Sequence, residues 1–145
     1  MHLTRLAALA LLTAAAPVFA DEVWYTTAGE IVYRSDIDFT AVLTVPQDLI
    51  LSEPGAKPVH LYVEGLPGNV DGRGYMTGYW ISPNDVEWAR CSTKLAGPDG
   101  MVSGVWGRAV VIFDQVSFPS GFTLLSGGCF SDPYFAVRAE LNDPF

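Results

Sequence analysis

The chain has 145 residues, half of them hydrophobic, and sets 16 acidic against 8 basic side chains for a formal net charge of −8. That length suits one domain with a substantial core. The acidic balance argues against nucleic acid, whose phosphates it repels, and against anionic membrane surfaces, and it suits a cationic partner or plain solubility.

The first twenty residues read as a processing signal. Arg5 gives a positive start, residues 6–16 are an unbroken run of Leu, Ala and Thr, and Pro17-Val18-Phe19-Ala20 places the cut after Ala20. The apolar run falls short of the roughly 20 residues that an anchoring helix needs. The expectation is an exported chain without a membrane anchor, periplasmic or secreted, in which residues 21–145 form a single β domain.

Residues 22–26 and 30–34 are short β-prone runs with Ala28-Gly29 as a turn between them. Residues 38–45 alternate, with Phe39, Ala41, Leu43 and Val45 on one face and Thr40, Val42 and Thr44 on the other. Pro46 stops this strand, and residues 47–51 fit either a helical turn or a short strand. Val59, Leu61 and Val63 alternate with His60, Tyr62 and Glu64, predicting another half-buried strand. Residues 66–74 form a loop by composition.

Residues 75–81 predict a strand with aromatics on both faces, Tyr75, Tyr79 and Ile81 against Met76 and Trp80. After the turn at 82–85, residues 86–91 predict a short strand, and Asp99-Gly100 a turn with positive φ. Residues 104–113 are the longest β-prone run and read as a central strand. Val105, Ala109, Val111 and Phe113 fall on one face, and Trp106, Arg108, Val110 and Ile112 on the other. Residues 122–126 and 134–141 predict the last two strands, and residues 142–145 a loose tail.

About eight or nine short strands, with turn signals every 8–12 residues, describe an all-β fold. The predicted architecture is a small antiparallel β-sandwich or β-barrel. Phe145 admits an outer-membrane barrel, but these strands are short for one. Cys91 and Cys129, the only cysteines, flank the central strand and in an exported chain predict one structural disulfide. Their spacing is not that of a redox pair, and one histidine beyond the signal gives no zinc ligand set. No metal or cofactor is expected.

Four constellations carry the functional candidates. The His60, Tyr62, Glu64 stripe fits either a proton-transfer site or the solvated face of a strand. Asp85 and Glu87 beside Trp88 are the most suggestive carboxylate pair for a small hydrolase. Asn69-Val70-Asp71-Gly72 resembles the middle of a calcium loop, but Pro67 and Gly78 stand where the end ligands would be.

The fourth is Tyr75, Tyr79, Trp80, Trp88, Arg90, Trp106 and Arg108. Trp and Arg dominate binding hot spots. Trp88/Arg90 and Trp106/Arg108, each two residues apart, would share a strand face and permit cation–π stacking. The competing reading makes these tryptophans core, with arginine stems covering them. Ser103-Gly104-Val105-Trp106-Gly107 partly resembles the Ser-Gly-x-x-Tyr inhibitory loop of periplasmic lysozyme inhibitors, with Gly107 in place of the tyrosine. That resemblance implies a small disulfide-bonded barrel binding a cationic enzyme. The expected role is non-catalytic binding of a protein or glycan, with the small hydrolase and a purely structural envelope component as alternatives. The oligomeric state is left open.

Overall fold

The computed structural model describes residues 22–69, 71–117 and 119–142. Residues 1–21, which include the segment read as a processing signal, Val70 of the calcium-like loop, Phe118 and the terminal residues 143–145 lie outside them.

The strands are β1 (Val23–Thr26), β2 (Gly29–Ile37), β3 (Thr40–Val45), β4 (Val59–Glu64), β5 (Tyr75–Ile81), β6 (Leu95–Ala96), β7 (Val102–Ser103), β8 (Trp106–Phe113), β9 (Phe122–Ser126) and β10 (Phe135–Ala139). Eight of them form one antiparallel sheet in the order β1-β2-β3-β4-β5-β8-β9-β10. Each strand pairs with the next along the sheet. Tyr25 and Glu140 exchange N–H···O bonds of 2.8 and 2.9 Å across the first and last strands. The sheet is therefore a barrel, nearly closed, and this decides between the two predicted architectures.

The alternation read from the sequence becomes the inside and outside of this barrel. Ala41, Leu43, Val45, Val59, Leu61, Val63, Trp80, Ala109, Val111 and Phe113 all enter one core with Trp24, Ile31 and Tyr33. Eight strands leave an interior just wide enough for side chains to fill. The apolar side chains point inward, the reverse of the polar lumen of an outer-membrane barrel. No helix among the described residues is long and apolar enough to cross a membrane.

The ends are plugged differently. At one end the ambiguous segment 47–51 is a helical turn, α1 (Asp48–Leu51), and it buries Leu49, Ile50 and Leu51. Gln47 ties it to the exit of β5, with its Oε1 accepting from Ser82 Oγ at 2.6 Å and Asn84 Nδ2 at 2.7 Å. At the other end Arg73, only 1% exposed, donates to both carboxylate oxygens of Glu22 at 2.7 and 2.8 Å and lies over the Phe113 ring.

Two expectations are corrected here. The alternation over 38–45 puts Phe39 on the same strand face as Ala41, Leu43 and Val45. Instead Asp38 and Phe39 form the two-residue β2–β3 turn with φ of 48° and 64°, and Phe39 is exposed. Positive φ at both central residues is what a tight hairpin turn with the right twist requires, so turn geometry overrides the period-two pattern at its first apolar position. Residues 86–91 are not a strand. Glu87–Ala89 form a single 3₁₀ turn, so residues two apart do not share a face there.

Residues 82–105, between β5 and β8, leave the barrel and fold back over its outer wall. They carry the 3₁₀ turn and a small β6–β7 hairpin. Beneath them Val42, Tyr62, Ile81 and Trp106 form a second apolar cluster. The Cys91–Cys129 disulfide pins this excursion to the β9–β10 connection, with a Cα–Cα distance of 5.6 Å and a sequence separation of 38. In the chain-entropy account a loop of that size is stabilised by roughly 3–4 kcal/mol.

Candidate functional site

Two places on the barrel gather chemistry-bearing side chains. The first is on the outer wall, where the tip of the β6–β7 hairpin meets β4. Asp99 bridges both predicted residues of the β4 stripe. Its Oδ2 is 2.7 Å from His60 Nδ1 and its Oδ1 is 2.7 Å from Tyr62 Oη. A carboxylate only accepts, so His60 Nδ1 and Tyr62 Oη both donate. Glu64, the third residue of the predicted stripe, lies further down β4 and is exposed.

Burial alone would raise the Asp99 carboxyl, but hydrogen bonds from Tyr62, His60 and the Met101 N–H outweigh it and hold it below its ordinary value of 3.8. Burial, then the bond to Asp99, pushes the Tyr62 hydroxyl up, so it stays protonated and donating. In a nucleophilic triad the hydroxyl would contact the imidazole. Here it contacts the carboxylate, and Tyr62 is fully buried. The arrangement clamps the hairpin to the barrel.

A depressed carboxyl contributes stability above its unfolded pKa and loses it as pH falls through the folded one. The hairpin clamp is therefore expected to hold at neutral pH and to weaken once pH drops below about 3.8. The protection factor of the Met101 amide, its intrinsic exchange rate at each pH divided by the observed one, should fall in that window, and in Asp99→Asn it should already be lower at pH 7.

The second place is the α1 end of the barrel. Gly127, Gly128 and Cys129 run up against β8. Cys129 N–H donates to Trp106 O at 2.8 Å and Gly127 N–H to Arg108 O at 3.1 Å. The approach is close enough that a Cβ on Gly107 would meet Gly127 O at 1.8 Å, so only glycine fits. Between this segment, α1 and the 3₁₀ turn lies a groove of about 470 Å³. Its floor carries Trp80, whose Nε1 donates to Gly127 O at 3.0 Å. Its walls carry Trp88, Tyr134 and Phe135. Trp88 and Tyr134 are 67% and 79% exposed. Glu53 holds the Trp88 indole by a 2.7 Å bond from Nε1.

A second groove of about 720 Å³ adjoins the first at Phe135. It follows the seam where the barrel nearly closes, between β10 and the Thr27-Ala28 turn, with Asp48 and Leu49 on its side.

The structure separates the predicted aromatic and arginine set. Trp80, Trp88 and Arg90 meet at the first groove. Trp106 is buried beneath the excursion, where its Nε1 donates to Thr93 O and its ring meets Phe130 edge-on. Tyr79 stacks on Tyr62 in the same outer cluster. Tyr75 is exposed at the start of β5, by the opposite end. Arg90 pairs with both oxygens of Asp85, and Arg108 reaches Asp132 at 3.5 Å. These carboxylates, not the neighbouring tryptophans, take the guanidiniums.

Asp85 of the proposed carboxylate pair is thus engaged by Arg90, which holds it below the usual carboxylate range. In the calcium-like loop, Asn69 Oδ1 accepts from the Gly72 N–H at 2.8 Å and forms a turn. Ser103 Oγ likewise accepts from the Val105 N–H. Among the described residues no three of His, Cys, Asp and Glu are grouped to hold a metal ion.

Sequence reasoning passed over Glu53, Asp99, Tyr134 and Phe135. The Asp99-Gly100 turn was visible, but its register against His60 is tertiary. Tyr134 and Phe135 read as strand residues, and their exposure depends on where β10 meets the seam. No protein-family profile, curated protein or solved structure matches this chain.

Proposed function

We propose that this is an exported binding module without catalytic activity, acting in the periplasm or outside the cell, and that its recognition surface is the aromatic groove at the disulfide-stapled end. The observation that carries this reading is the exposure of Trp88 and Tyr134 on a rigid frame. Large apolar side chains left in water on a small domain mark contact surfaces, and aromatic anchors supply most of the energy at interfaces. Trp88 is held by Glu53 and stands three residues from the disulfide, so little ordering remains to be done when a partner arrives. The disulfide supports an oxidising compartment, in keeping with the signal-like start.

The Trp88→Ala, Tyr134→Ala double variant tests this. Both side chains are mostly in water, so its melting temperature is expected to stay within about 3 °C of the parent, consistent with surface substitutions. It is expected to lose at least tenfold in affinity for any partner the parent retains on a column of envelope extract, read by mass spectrometry and then by titration. A partner bound equally by parent and variant would contradict the assignment of the groove.

A further inference from the structure

The seam of the barrel bears on which partner the groove serves. Residues of a strand direct their N–H and C=O alternately to one neighbour and the other. Glu140 directs both to Tyr25 of β1. Gly127 N–H bonds Arg108 O, and Ser126 pairs with Ala109. These anchor points fix the phase of β9 and β10. Phe135, Val137 and Ala139 bond back to β9 opposite Ser126, Leu124 and Phe122. Ala136 and Arg138 therefore turn their backbone donors and acceptors toward β1.

There β1 has already ended. Thr26 is its last residue, and the chain turns at Thr27-Ala28, where Thr26 Oγ1 accepts from the Ala28 N–H. Among the described residues the bridge at Glu140 is the sole ladder contact between the two strands, and no backbone partner meets Ala136 or Arg138. The space in front of them is the seam groove.

We infer that the open edge of β10, at Ala136 and Arg138, receives an extended peptide segment of a partner protein as an added strand. This rests on reading the aromatic groove as a binding site, and it chooses a protein over a glycan. An unpaired row of N–H and C=O groups is a template for a strand. A sugar has no repeat of donors and acceptors at strand spacing. The exposed stretch from Phe135 to Arg138 is about 10 Å long at the usual strand rise, enough for three or four residues of ligand.

The seam groove is bounded by the Thr27-Ala28 turn on one side and by Asp48 and Leu49 of α1 on the other. That admits a single thin segment and disfavours the flank of a second barrel. Ala28, Leu49 and Val137 meet the inward side of such a segment, so alternate ligand residues should be apolar. Phe135 joins the seam to the aromatic groove, where one further side chain of the ligand would sit.

The test uses the oxidised chain, a capped pentapeptide of alternating threonine and valine, and the same peptide N-methylated at alternate residues. Saturating peptide should slow amide exchange at Ala136 and Arg138 at least tenfold while leaving Val137 and Ala139 unchanged. The N-methylated peptide should bind at least tenfold more weakly. Ala136→Pro removes a donor that faces the seam, a position where an edge strand tolerates proline. It should keep the parent melting temperature and weaken the peptide about tenfold.

Any of these results would overturn the inference: no peptide binding at millimolar concentration, equal binding of the methylated peptide, Ala136 and Arg138 amides already slow in the free chain, or slowing that follows protein concentration without peptide. A partner or oligosaccharide that needs Trp88 yet leaves both amides unchanged would sink the added strand and leave the groove standing.

Discussion

Arg73→Met is expected to lower the melting temperature by about 10–20 °C, the largest effect of any single polar substitution in the barrel. Arg73 closes the end opposite α1. Its guanidinium spans both oxygens of Glu22, its Nε donates to Asn69 O at 2.8 Å, and its plane covers Phe113. The Glu22 side chain is 9% exposed and that of Arg73 2%. Removing the cation leaves a carboxylate without its partner in a dry site, which costs about 3–5 kcal/mol. For a domain of this size each kcal/mol moves the melting temperature by roughly 3–5 °C. The double variant Glu22→Gln, Arg73→Met should recover at least half of the loss, since replacing both members of a buried pair is often close to neutral. Differential scanning calorimetry of the three proteins checks both statements. A single variant that melts like the parent would mean that this end of the barrel is open to water.

Trp106→Ala is expected to destabilise the domain by about 3–5 kcal/mol, the range for a large aromatic removed from a packed site. Trp106 is 4% exposed. Its loss would empty the outer cluster beneath the excursion and release the Thr93 carbonyl that its Nε1 satisfies. The disulfide should still form, since Cys91 and Cys129 are held by backbone bonds to Gly104 and Trp106. Denaturant unfolding of the oxidised variant measures the loss. The contrast with Trp88 is the point. The two tryptophans have similar sequence surroundings, each followed two residues later by an arginine, yet one is core and the other stands in water.

That contrast shows where sequence reading runs out. Period-two alternation placed the inner and outer faces of β3, β4, β5 and β8, because a half-buried strand has no other way to satisfy both sides. The disulfide followed from two cysteines in a chain whose first twenty residues read as an export signal. Arg73 was not legible. It lies in a stretch of glycine, asparagine and aspartate that composition marks as loop, and only the return of β1 brings Glu22 across to it. Trp88 and Trp106 could not be sorted, because what buries Trp106 is an excursion whose path has no local signature. The 3₁₀ turn at Glu87–Ala89 likewise left no period to detect over three residues. The seam depends on β1 being four residues long, a boundary finer than any pattern in the sequence.

Partners are expected to meet this protein at the aromatic groove beside the disulfide. The most direct measurement places a photo-crosslinking residue at Ser131, on the groove wall, and in a second protein at Val116, exposed on the β8–β9 connection at the opposite end. Both are exposed to an envelope extract and irradiated, and adducts are resolved by mass spectrometry. A discrete adduct is expected from Ser131, absent from Val116 and suppressed by Trp88→Ala. A discrete adduct from Val116 with none from Ser131 would contradict this expectation and move the binding surface to the Arg73 end of the barrel.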